Sequence, residues 1–130
     1  MKVLALDYGS ARTGVAVSDP TGTLARPLGV VEGAATDSGL AEVARLAREQ
    51  EVERIVVGLP LTLRGERGEQ AVESERFVEA LRGVVAVPVE LYDERFTTNL
   101  AQQTAGAAPE DALAAAHLLS TYLEWCAARS

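Results

Sequence analysis

The chain has 130 residues, 48% of them hydrophobic and 24% charged, with a formal net charge of −7. That length suits one domain able to bury most of its apolar surface, and no stretch approaches the roughly 20 apolar residues of a membrane span. The N-terminus has no basic region followed by an apolar core, and the single cysteine, Cys126, excludes an intrachain disulfide framework and a cysteine-based zinc cluster. A reducing cytoplasm is the expected location.

Eleven of the twelve basic residues are arginine. An acidic balance weighs against non-specific nucleic-acid binding, because neutralising phosphates needs a basic surface. Distribution matters more than the total. Nine of the nineteen acids fall in residues 42–79, chiefly in segments that read as solvated helices, so a local basic face remains compatible with the sequence.

In chain order, residues 2–8 and 13–18 read as strands around a turn bracketed by Gly9 and Gly14, and 26–32 as a third, weaker strand. Asp37 or Ser38 is suited to cap a helix reaching about Gln50, with Leu40, Val43, Leu46 and Ala47 on one face. "RIVVGLP" (54–60) is a short apolar strand of the parallel-sheet kind. A polar loop follows, then a helix over about 69–82 with Val72, Phe77, Val78 and Leu81 as its apolar residues. "VVAVPVELY" (84–92) reads as a fifth strand, and helices near 97–105 and 110–128 finish the chain. Three meandering strands followed by βα units predict a mixed five-stranded sheet, three strands antiparallel, with helices on both faces. That is the ribonuclease H-like α/β architecture in a single domain over 1–130. A Rossmann sheet would alternate β and α from the start.

Three acidic positions break otherwise apolar elements. Asp7 ends the first strand, Asp93 and Glu94 end the fifth, and Asp111 sits in the first turn of the last helix. Burying an ionised carboxylate costs several kcal/mol, roughly, unless something positive offsets it. Gathering several is unfavourable unless a cation binds between them. Oxygen donors without histidine or cysteine suit Mg²⁺ or Mn²⁺ rather than zinc. Each acid also has a structural role open to it: Asp7 as a turn acid, Asp93 and Glu94 as partners of Arg95, and Asp111 as a helix-dipole residue. Strand alternation puts Val87, Val89, Leu91 and Asp93 on one side, and Tyr92 and Glu94 on the other, making Asp93 the core-facing acid.

"LALDYGSARTGVAVSD", "IVVGLPLTLRGERGEQA", "ELYDERFTT" and "EDALAAAHLLSTYLE" resemble the four signature blocks of the YqgF/RuvX family, Holliday-junction resolvase-like proteins also described as pre-16S rRNA nucleases. The resemblance runs from about residue 2 to 124. It implies a ribonuclease H-like fold and metal-dependent hydrolysis of phosphodiester bonds, leaving a 3′-hydroxyl and a 5′-phosphate. It places the catalytic and metal-binding acids on Asp7, Glu94 and Asp111, whereas Asp93, the core-facing acid by alternation, is the other candidate metal ligand at that strand end. It implies structured RNA such as pre-rRNA, or branched DNA, as partner, and no membrane; a homodimer is an arrangement common among junction resolvases. Where many members carry a basic loop before the final aspartate, this chain has the uncharged "NLAQQTAGAAP".

Arg12, Arg64, Arg67 and Arg95 are the candidate phosphate contacts. Gly9, Gly14, Gly58 and Pro60 are the candidate turn residues that keep the site open. Thr97 or Thr98 suits a helix cap. His117 stands six residues after Asp111, about 120° around the helix, and reads as a packing residue. Trp125 and Cys126 read as docking residues of the last helix. Two other readings stand beside the nuclease: half of an actin-like nucleotide-binding enzyme, and a non-catalytic RNA-binding or ribosome-associated module of the same fold. The first needs two such domains, and "GLPLTLRG" lacks the lysine of a phosphate loop.

Overall fold

A computed structural model describes residues 1–9, 11–59, 69–93 and 110–129. These form β1 (Val3–Asp7), β2 (Arg12–Ser18), β3 (Ala25–Glu32), α1 (Asp37–Glu49), β4 (Arg54–Leu59), α2 (Glu69–Arg82), β5 (Val89–Asp93) and α3 (Glu110–Arg129). The strands make one sheet in the order β3-β2-β1-β4-β5. β1, β2 and β3 pair antiparallel, while β4 joins β1 and β5 joins β4 in parallel. The expected mixed sheet is therefore present. The helix expected near 97–105 lies outside the described residues.

β1 and β4 are apolar at nearly every position because helices cover both faces of the sheet. On one face Leu4, Leu6, Val15, Val17, Ile55, Val57 and Val89 pack with Leu40, Val43 and Ala47 of α1 and with Phe77, Val78 and Leu81 of α2. On the other, Val3, Ala5, Ala16, Val56 and Tyr92 pack with Ala115, Leu118, Leu119, Tyr122 and Leu123 of α3. Each buried Val, Leu, Ile or Phe among them contributes about 1.5–3 kcal/mol, so neither layer is dispensable. With two buried faces, "core-facing" no longer separates Asp93 from its neighbours: Tyr92, on the side expected to face away from the core, is itself buried.

Three local details differ from the expectation. Helix α1 is capped by Thr36, whose hydroxyl accepts from the Gly39 amide at 3.1 Å, and Asp37 lies in the first turn instead. Strand β5 starts at Val89 rather than 84. The amides of Gly83, Val84 and Val85 donate to Ala80 and Leu81 carbonyls, so these residues finish the turn after α2, and Val84 is exposed. Val72 of α2 is exposed as well. The weak third strand carries an irregularity where Val15 pairs with Gly29 and Ala16 with Pro27, leaving Leu28 extra. A proline in a strand is tolerated at such a bulge because it has no amide to give to the ladder.

The direction of α3 is set by a polar link near its C-terminal end. Arg54, at the start of β4, donates to the Tyr122 hydroxyl at 2.8 Å, and that hydroxyl donates to Glu90 of β5. Arg54 pairs in register with Val3, so this part of α3 lies over the beginning of β1. Burial raises the Tyr122 pKa, the bond to Glu90 raises it further, and Arg54 opposes both. The Arg54 guanidinium is in turn raised by its bond to Tyr122.

Candidate active site

Because β1, β4 and β5 run parallel, their C-terminal ends share one edge of the sheet. In sheets of this kind ligands bind beyond the carboxyl ends of the strands. Asp7 is the last residue of β1 and is half-buried. Alternation gives it the parity of Val3 and Ala5, the residues under α3. Its register partner in β2 is Gly14, so no side chain stands directly opposite the carboxylate.

The chain after Asp7 is tightly organised. Tyr8 turns to the opposite face and stacks on Phe77 of α2, with ring centroids 4.6 Å apart and planes 19° from parallel. Burial raises the Tyr8 pKa, with Glu73 adding to it. The Thr13 hydroxyl donates to the Gly9 carbonyl at 3.3 Å and accepts from the Gly9 amide at 3.4 Å. A Cβ on Gly9 would lie 2.4 Å from the Arg12 carbonyl oxygen, so only glycine fits this turn. Gly9 thus allows a close backbone approach, while Gly14 lies within β2 rather than in the turn.

Asp111 is the second residue of α3. Eleven positions further along the helix, Tyr122 packs with Val3 and Ala5 of β1. Asp93 ends β5 in register with Leu59. Its position has the parity of Val89 and Leu91, which belong to the α1/α2 face, whereas Glu90 and Tyr92 belong to the face of α3. Glu94 lies outside the described residues, as do Arg64, Arg67, Arg95, Pro60, Thr97 and Thr98. Arg12 opens β2, exposed, opposite Glu32 of β3. Gly58 is buried in β4 opposite Tyr92. His117 is half-buried on α3. Among the described residues no three of His, Cys, Asp and Glu are grouped closely enough to hold a metal ion.

A family model described as "RuvX: Holliday junction resolvase" matches residues 1–125. The chain belongs to this family. Membership places the RuvX-family chain among hydrolases that act on phosphodiester bonds, a class that generally works with divalent metal ions. It is 43% identical to "Putative pre-16S rRNA nuclease" of Chloroflexus aggregans, over 94% of this chain and 92% of the relative. A relative of the same name from a Sulfurihydrogenibium species is 41% identical, over 95% and 90%. The fold is that of the RuvC-like resolvases. Thermus thermophilus RuvC, solved with a Holliday junction substrate, superposes with a TM-score of 0.66 over 98% of this chain and 96% of that one, at 16% identity. Fowlpox virus resolvase gives 0.54 over 97% and 99%, at 12% identity.

Two residues that organise the site escaped the sequence reading. Thr13 looks like one more β-branched strand residue, and only its buried hydroxyl beside Gly9 shows its role. Tyr8 carried a signal, an aromatic directly after the acid, but its partner Phe77 is 69 residues away and only the fold joins them.

Proposed function

We propose that this RuvX-family chain is a metal-dependent endonuclease that cuts structured RNA, processing the 5′ end of precursor 16S rRNA, with Asp7, Glu94 and Asp111 as the acids of its site. The observation that carries the reading is the shared face: Asp7 has the parity of the β1 residues that pack against α3, the helix whose first turn holds Asp111. The family blocks favour Glu94 over Asp93 as the third acid, and in the sequence Glu94 stands two positions after Tyr92 of the α3 face. All three donors are carboxylates, a set that fits Mg²⁺ or Mn²⁺. When bound, a divalent ion of this kind activates water and stabilises the leaving oxygen in phosphodiester cleavage. The carboxylates supply the negative charge that holds such a cation, and Arg12, Arg64, Arg67 and Arg95 position the phosphate backbone. The names of the curated relatives support rRNA as substrate. No described helix is long and apolar enough to cross a membrane, in keeping with work on rRNA in the cytoplasm.

The test is cleavage of a pre-16S rRNA mimic and of a four-way DNA junction in Mn²⁺, with wild type and with Asp7→Asn, Glu94→Gln and Asp111→Asn. RNA cleavage that disappears in all three variants supports the reading. Undiminished cleavage in Asp7→Asn overturns the assignment, and cleavage of the junction alone moves the substrate to branched DNA. A junction enzyme must incise two strands, so a homodimer by sedimentation accompanies that second outcome.

A further inference from the structure

The end of β1 is held in an uneven way. Pairing with β4 stops at Leu6 opposite Val57, and pairing with β2 stops at Asp7 opposite Gly14. Tyr8 has no place in either ladder, yet it is only 9% exposed. Its side chain holds it from the α2 side: the ring lies flat against Phe77 at 4.6 Å. Phe77, in the middle of α2, is itself 1% exposed and packs in the layer between that helix and the sheet. Offset stacking of this kind adds about 0.5–1.5 kcal/mol beyond area burial, and it fixes an orientation as well as a distance. On the far side, Gly9 is fixed by both hydrogen bonds to Thr13. Tyr8 is therefore gripped from α2 while its neighbours are gripped from β2, and the peptide between Asp7 and Tyr8 has little freedom to rotate.

We infer that the Tyr8–Phe77 stack is a positioning pair: by locking the exit of β1 from the α2 side of the sheet, it aims the Asp7 carboxylate toward the α3 side. The inference rests on the reading of Asp7 as a metal ligand. The hydroxyl is not required, because stacking uses the ring faces; a phenylalanine at position 8 keeps the device and a leucine removes it. The same device fails when Phe77 is changed from the other side.

Mn²⁺ binding, measured by titration calorimetry in the absence of nucleic acid, tests this, with urea unfolding of each variant alongside. Tyr8→Leu and Phe77→Leu are each expected to weaken Mn²⁺ binding by about tenfold, the lower end of what losing a residue that orients a metal ligand brings. Tyr8→Phe binds as wild type does. Val43→Ala, in the same buried layer but on α1, loses stability and keeps wild-type binding. Wild-type affinity in Tyr8→Leu, or an equal loss in Val43→Ala or in Tyr8→Phe, overturns the positioning role. Asp7→Asn separates the two levels: if it retains wild-type Mn²⁺ binding, the reading of Asp7 fails whatever Tyr8→Leu does.

Discussion

Asp7 and Gly14 face one another across the β1–β2 ladder, so the acid that ends β1 lies beside a position with no side chain. Directly opposed residues have Cβ atoms about 4.5–5.5 Å apart, close enough for a branched side chain at 14 to press on the carboxylate. Valine is otherwise well suited to a strand. Gly14 is buried, so Gly14→Val is expected to cost about 1–3 kcal/mol by overpacking. Where the variant is still folded, it is expected to lose cleavage on the order of a hundredfold on the reading of Asp7 as a catalytic acid, the cost of displacing a reacting group by about 1 Å. Cleavage assays paired with thermal unfolding check this; equal losses of both would make Gly14 a packing residue only.

Tyr122 ties α3 to two strands through one hydroxyl. Tyr122→Phe is expected to destabilise the fold by about 1 kcal/mol, because Arg54 and Glu90 are partly exposed and water replaces the lost bonds. The pKa of the hydroxyl is raised in the fold. Its contribution is therefore fully present below the ordinary tyrosine value near ~10 and is lost as the pH rises beyond it. Urea unfolding at pH 7 and above pH ~10 should show the gap between wild type and Tyr122→Phe closing at the alkaline end.

Asp19 organises the β2–β3 turn, accepting from the Thr21 hydroxyl at 2.6 Å and from the Thr23 and Leu24 amides at 2.8 and 3.0 Å. These bonds, Thr21 first, hold its pKa down to about 2. A lowered carboxyl pKa stabilises the fold above the ordinary value near ~3.9, and the contribution is lost as pH falls through the folded value. Asp19→Asn is expected to be less stable than wild type at pH 7 and to match it near pH 2, by thermal unfolding across that range. A gap that stays constant with pH would assign the turn's stability elsewhere.

Gly39 sits in the first turns of α1, where helix propensity alone favours Gly→Ala by about 1 kcal/mol. In the fold a Cβ at 39 would lie 2.0 Å from the Gly33 carbonyl oxygen and 2.6 Å from Ala34 Cα. Gly39→Ala is accordingly expected to destabilise by roughly 1–3 kcal/mol, the opposite sign, since the obstacle is backbone and cannot swing aside. Denaturant midpoints settle the sign.

Periodicity reports what each element buries, so the apolar runs of β1 and β4 and the 3.6-residue spacing of α1 were readable in one dimension. So was the order of three strands followed by βα units. The 84–92 stretch misled because valines suit a strand equally well when they pack as a connector; Val85 and Val87 do lie against the core, without a ladder. The cap of α1 was missed because Thr36, Asp37 and Ser38 are three consecutive cap-forming residues, and only the backbone at Thr36, extended at φ −79 and ψ 165, singles one out.

By itself the sequence determined the fold class, the family blocks and the list of acids, because each is written in residue type and spacing. Which face of the sheet Asp7 belongs to was decided only by tertiary structure. A strand's own alternation divides its residues into two sets, but both faces of this sheet are buried, so burial cannot name the set that meets Asp7. The packing does: Asp7 follows Val3 and Ala5 onto the side of α3, while Val89 and Leu91 of β5 belong to the side of α1 and α2. Pairing between strands distant in sequence carries that information, and so does the meeting of Tyr8 with Phe77.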